Sequence, residues 1–250
     1  RLLIEHYAEG ARVPILKLRD SANEQLRELA DYVYRNIFLG YTVKQWNLKP
    51  EELSPSVTAR VPVVVSRDDR YFQDTYQAMP LDGYTALFQR MLDHPNIEVQ
   101  TGADFFELKE KIRAEHVFFT GPIDAYFEYR YGKLPYRSLK FKHSNLAQQR
   151  YQSVGTVNYP NDYDYTRITE FKHISGQRHP HTAIVHEYPC SEGDPYYPVP
   201  CSENEQLYKR YRELAERETG TTFIGRLANY RYYNMDQVVA AALSCTGASA

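Results

Sequence analysis

The chain has 250 residues, 42% hydrophobic and 25% charged, with a formal net charge of −2. That length suffices for a substantial core, and the near balance of charge excludes a general attraction to nucleic acid or to an anionic membrane. No apolar run approaches the length that spans a bilayer, and Cys190, Cys201 and Cys245 are too few for a disulfide framework or a zinc ribbon, so a reducing cytoplasm is the expected setting.

Ser21 and Glu24 have the spacing of a capping box, and the apolar face Leu26, Leu29, Ala30, Val33 and Ile37 predicts a helix over 22–39. Gly40 suits the residue just past its end, which makes "GYTVKQW" (40–46) the turn that leaves it. Trp46, the only tryptophan, then stands in a polar loop beside Tyr41, Lys44 and Gln45, placed to meet something from outside. Pro50, Pro55 and Pro62 leave room for a short helix near 55–60 and a strand at 62–66. "GYTALFQRMLDH" from Gly83 reads as a helix, "IEVQ" from Ile97 as a short strand and "HVFFTG" from His116 as a buried strand.

Four β-type runs follow in succession, beginning at Tyr136, Gly155, Tyr165 and Thr182, and predict an antiparallel sheet with one wet face. Ser202 and Glu205 offer a second capping box for a helix to about Glu218. "TTFIG" reads as a strand, and a last helix starts near Asn234. The fold class is α+β.

Tyrosine outnumbers phenylalanine 23 to 11, and four aromatic-basic clusters at or beside predicted loops carry the functional signal. They are Tyr41 with Trp46, Arg60 with Tyr71, Tyr196 with Tyr197, and Arg226 with Tyr230, Tyr232 and Tyr233. Guanidinium forks and phenolic O–H donors together suit a diphosphate, and an aromatic face suits a planar base. The alternative for each cluster taken singly is a loop packed onto a sheet. His173, His179, His181 and His186 lie close in sequence, but "GQRHPH" reads as a hairpin loop, and no metal site is expected. Cys190 and Cys201 flank the "DPYYPVP" loop, and no disulfide is expected between them.

Several motifs in fixed order carry a resemblance: "GYTVKQW", "RVP" followed by "YF" and "YQAMPLDGYT", "TGPIDAYFEYRYGKLPYRSLKF", "YTRITEFKH", "EYP", "GDPYYPV" and "GRLANYRYYNMDQVV". From about Ser21 to Val239 the chain resembles the UDP-galactopyranose mutases. The resemblance implies a flavoenzyme, an isomerase that interconverts UDP-galactopyranose and UDP-galactofuranose with reduced FAD. In that family flavin N5 attacks the anomeric carbon, UDP leaves, the ring opens through an iminium and closes as the furanose, and UDP returns. It implies catalytic roles for Arg60, Arg167 and Glu187, and substrate contacts from Tyr41, Trp46, Arg60, Tyr71, Arg167, Tyr197 and Tyr232. It implies cofactor contacts from Arg226, Asn234, Met235 and Asp236, with Asn234 standing where some members have Asp. A homo-oligomer stays open.

By the same resemblance, residues 1–60 would be part of a helical domain with a mobile loop, and 61–135 a mixed α/β segment. Residues 136–200 would form the antiparallel substrate-binding sheet, and 201–250 the C-terminal part of a FAD-binding domain. The family's G-x-G-x-x-G turn has no counterpart among the twelve glycines, and the chain begins with Arg1. The expectation is a fragment without the N-terminal FAD-binding βαβ unit, lacking roughly 100–130 residues. The alternative function is flavin-free binding of a UDP-sugar without catalysis.

Overall fold

A computed structural model describes residues 1–71 and 73–247; Phe72 of the "YF" motif lies outside the described residues. The fold is α+β. Helix α1 (Leu2–Tyr7), strand β1 (Arg12–Val13) and helix α2 (Ile15–Arg19) lead into α3 (Glu24–Val33). The cap of α3 is Asn23, whose Oδ1 accepts the Leu26 amide at 3.2 Å. Ser21 instead accepts the Asn23 amide through its hydroxyl, so the expected box at Ser21 does not form. Val13, Ile15, Leu18, Ala30, Tyr34 and Val65 close one small core around this end.

The helix does not stop at Gly40. It passes through a π-helical turn, Tyr34–Leu39, straight into α4 (Gly40–Trp46). Gly40 has ordinary helical dihedrals, and the residue that ends the helix is Asn47 in the left-handed region at φ 56°. Gly40 is small for another reason: a Cβ there would lie 2.4 Å from the Pro160 carbonyl oxygen and 2.6 Å from Asn161 Oδ1. The glycine marks a close approach of two backbones rather than a helix end.

A 3₁₀ turn at Pro50–Glu52 and helix α5 (Pro55–Ala59) follow, then strand β2 (Val63–Val64), antiparallel to β1. Helices α6 (Gly83–Leu92) and α7 (Phe105–Leu108) lie in a stretch, residues 66–118, where no described residue is buried. The expected strand at Ile97 is irregular backbone: among the described residues no strand offers it a ladder, so its β-type composition has nothing to pair with. Strand β3 (Val117–Phe119) comes next, and then helix α8 (Ile123–Tyr126).

The sheet is built from β4 (Tyr136–Leu146), β5 (Thr156–Asn158), β6 (Arg167–Glu170), β7 (Thr182–Cys190) and β8 (Tyr197–Pro198), in the order β5-β6-β7-β4-β8, all pairs antiparallel. The run from Tyr165 is strand only as far as Glu170; α9 (Phe171–Ser175) then turns the chain away. Glu170 is fully buried at this break, and its carboxylate accepts the Thr182 hydroxyl and the amides of Tyr151 and Gln152.

Helix α10 (Ser202–Ala215) starts one residue earlier than its Ser202 box implied, with Cys201 at the cap and no side-chain cap bond. It buries Tyr211 completely against Ile123, Leu134 and Tyr230. Strand β9 (Thr221–Phe223) pairs in parallel with β3, Val117 opposite Thr221 and Phe119 opposite Phe223. Helix α11 (Met235–Thr246) begins at Asn234, which forms a capping box with Gln237.

Candidate functional site

Four parts of the chain converge beside β8: α4, the end of α5, the start of β6 with the facing second half of β7, and the loop between β9 and α11. Trp46 is 5% exposed, packed with Leu53 and Val199, and meets Tyr232 and Tyr197 edge-on with ring centroids 5.5 and 6.1 Å away. This corrects the reading of Trp46 as an exposed loop residue. It sits on the inner face of a helix, and its apolar neighbours come from residues that are not adjacent in sequence. Tyr197 and Tyr232 contact each other at 5.4 Å, also edge-on, so Trp46 is the floor behind a wall of two tyrosines.

Three guanidinium groups face that wall. Arg60 lies over the Tyr232 ring at 3.8 Å and donates to Asn234 Oδ1. Arg226 lies 5.2 Å from the Tyr232 ring and 5.6 Å from that of Tyr197, and donates to the carbonyls of Tyr196 and Tyr233. Arg167 donates to the Tyr41 hydroxyl and stands opposite Glu187 in the β6–β7 register, Nε 3.4 Å from Glu187 Oε2. Neither Arg60 nor Arg226 makes an ion pair with a described residue. Three cations thus meet one carboxylate, and the buried Arg167 Nε has no hydrogen-bond partner among the described residues. A site with that imbalance is complemented by an anion.

The titratable groups agree with that field. Burial pushes the Glu187 carboxyl up, and its one off-line contact with Arg167 offsets this only in part. Burial pulls Arg167 down, but Tyr41 and Glu187 beside it more than compensate and hold it above its ordinary value. Burial raises Tyr41, and burial with Tyr232 as neighbour pushes Tyr197 up to about 12. Both hydroxyls keep their protons at neutral pH and remain able to donate.

Tyr71 lies on irregular backbone and is 68% exposed. Met235 and Asp236 open α11 next to Asn234, and Met235 is equally exposed. Among the described residues no group of three or more His, Cys, Asp or Glu side chains is placed to hold a metal ion. No described helix is long and apolar enough to cross a membrane.

Sequence reasoning passed over Arg137. It is buried; its Nε donates to the Gln45 carbonyl at 2.8 Å, Nη2 to that of Lys44 at 3.1 Å, and Nη1 to the Ser191 hydroxyl. Arg137 also faces Tyr197 across the β4–β8 ladder. It therefore satisfies the C-terminal carbonyls of α4 and ties the helix of Tyr41 and Trp46 to the strand of Tyr197. No signal in residue type marks it: in "PYRSLKF" Arg137 stands between Tyr136 and Ser138, and two of its three partners are backbone carbonyls.

Residues 36–232 match the family described as GLF, UDP-galactopyranose mutase. The chain belongs to that family. It is 38% identical over 232 residues to the dTDP-fucopyranose mutase of Escherichia coli, covering 89% of this chain and 62% of that relative. It is 40% identical over 225 residues to a probable UDP-galactopyranose mutase of Klebsiella pneumoniae, covering 88% and 58%. A crystal structure of reduced UDP-galactopyranose mutase superimposes on 97% of this chain and 70% of its own length, with a TM-score of 0.65 at 14% identity, and so shares the mutase fold. The chain spans about six-tenths of the length of these curated relatives.

Proposed function

We propose that this chain binds a nucleoside diphosphate-hexose, with UDP-galactopyranose as the substrate, and presents it for pyranose–furanose interconversion. The observation that carries this reading is the set of three arginines around Tyr197 and Tyr232 with a single carboxylate among them. Arg60 and Arg167 hold the diphosphate and neutralise it as it leaves the anomeric carbon; Tyr41, Tyr71, Tyr197 and Tyr232 add neutral donors. Trp46 supports the uridine end from behind the tyrosines. Glu187, held up by burial, takes or returns a proton on a sugar hydroxyl.

The family cofactor fits these residues in part. The Asn234 side chain accepts the amide of Gln237, which leaves the first amides of α11, those of Met235 and Asp236, to face the electron-rich end of a reduced flavin beside Arg226. When bound, the reduced flavin supplies the nucleophile for the anomeric carbon. No G-x-G-x-x-G spacing occurs among the twelve glycines, so these residues offer no cradle for the ADP half of FAD. The 250 residues alone are accordingly proposed to bind the nucleotide sugar without turnover. Joined to a dinucleotide-binding unit they serve an isomerase.

Calorimetric titration with UDP and with uridine tests this. Losing two charge-assisted contacts costs roughly 3–6 kcal/mol, so UDP should bind at least about a hundredfold more tightly than uridine. Arg60→Ala and Arg167→Ala should each erode that preference. Equal affinity for UDP and uridine, or UDP affinity within twofold of the parent in both variants, sinks the assignment.

A further inference from the structure

At the other end of the sheet lies a cavity of about 650 Å³ that the proposed substrate site does not use. From Glu187 to Thr182 is five residues along β7, or about 17 Å of extended strand. Arg150, Lys172, His173, Arg178 and His179 line this cavity together with Gln149 and Gln177, and no acidic residue does. Of the two histidines in the "GQRHPH" stretch His179 lines the cavity, and His173 reaches it from α9.

Each basic group has a distinguishable job. Lys172 donates to the carbonyls of Gln149 and His179, which clamps the loop after β4 to the loop after α9 with two of the three donors of its ammonium. His173 bonds the Gln152 carbonyl through Nε2 and leans on the buried Glu170 at 3.4 Å, so it too is committed to the framework. Glu170 is itself saturated by Thr182 and the amides of Tyr151 and Gln152, and does not reach the cavity. His179 Nδ1 lies 3.0 Å from the His181 amide and 3.3 Å from the His181 carbonyl, so that nitrogen is engaged within the loop and Nε2 is the one left to face a ligand. Arg150 and Arg178, one on each clamped loop, make no ion pair with a described residue.

We propose that this cavity is a second anion site, taking a small polyphosphate of the diphosphate class, separate from the site beside Trp46. Two uncommitted guanidinium forks, with the His179 ring beside them, on a framework held by Lys172 supply paired, directional donors, which suit phosphoryl oxygens better than a single point charge. The cavity is larger than one phosphate fills and falls in the range of small-ligand pockets. A free diphosphate and the diphosphate of a nucleotide share this chemistry.

The test uses the whole chain carrying Arg60→Ala and Arg167→Ala, so that the first site does not contribute. Inorganic pyrophosphate titrated calorimetrically should bind one-to-one, at least tenfold more tightly than orthophosphate. Adding Arg150→Ala and Arg178→Ala should weaken pyrophosphate at least tenfold; both side chains belong to exposed residues, and an unchanged circular dichroism spectrum confirms the fold. The single variant Arg178→Glu should have the same effect through charge reversal. UDP that competes with pyrophosphate identifies the nucleotide as a source of the ligand, and UDP that does not leaves the free diphosphate. Absence of binding, orthophosphate binding as tight as pyrophosphate, or binding indifferent to Arg150 and Arg178 overturns the proposal.

Discussion

The antiparallel sheet and the segment that precedes it both carry many apolar side chains, and the molecule treats them in opposite ways. In β6 and β7, Ile168, Ile184 and Val185 are almost wholly buried, each opposite a strand partner that excludes water. In residues 66–118, Leu81, Phe88 and Met91 are 94%, 53% and 62% exposed, and no described residue is buried. Helix α6 is amphipathic, with Tyr84, Phe88 and Met91 at helical spacing along one face, yet that face has no cover among the described residues. Apolar composition supplies the material for a core. Whether a core forms depends on a second surface arriving at the right distance.

The largest effect should come from the sheet. Ile168→Ala removes a side chain that is 1% exposed, and should cost about 3–4 kcal/mol in urea unfolding, read as a lower midpoint at unchanged slope. A loss below about 1 kcal/mol would show that the sheet is no better packed than the segment before it.

The next effect is electrostatic. Burial pushes the Glu170 carboxyl up, but the Thr182 hydroxyl and the amides of Gln152 and Tyr151 outweigh it and leave the group below its ordinary value of 4.5. A depressed folded-state value means stability fully present above the unfolded glutamate range and lost as pH falls through the folded value. Glu170→Gln should cost about 1–3 kcal/mol at neutral pH and flatten the loss of stability below about pH 4.5, measured as the urea midpoint against pH. An acid limb that keeps its slope in this variant would assign the loss to other carboxylates.

The smallest effect should come from α6. Phe88→Ser should change stability by no more than about 0.5 kcal/mol while lowering the fluorescence of a bound hydrophobic dye. A loss of several kcal/mol would mean that the apolar face of α6 is covered after all, and the contrast between the two regions would collapse.

The sequence made the periodic parts of this fold readable. The β-type runs at 136, 155, 165 and 182, the helix from Gly83 and the start of α11 at Asn234 follow from local patterns and caps. Readings failed where a distant residue decided the local structure. Gly40 looked like a helix end because its true reason, the Pro160 carbonyl, lies 120 residues away. Trp46 looked exposed because Leu53 and Val199, which enclose it, are not its helix neighbours. Ser21 and Ser202 fitted a capping pattern that Asn23 and Cys201 pre-empted by starting their helices at other positions. The candidate site was legible as four scattered aromatic-basic clusters. Their convergence on Tyr197 and Tyr232 was not, and neither was Arg137, two of whose three partners are backbone carbonyls that leave no trace in residue type.

The π turn at Tyr34–Leu39 has a consequence for how this chain tolerates changes in length. A π turn takes up one residue more than regular α winding needs. Deleting a single residue within it should let the helix relax to a uniform α ladder, with Ala30 and Trp46 still facing their own cores. Deleting one residue from α3 or α4 instead rotates everything beyond the cut by about 100°, which swings Trp46 away from Leu53 and Val199. Within this long helix, single-residue deletions are therefore confined to one turn.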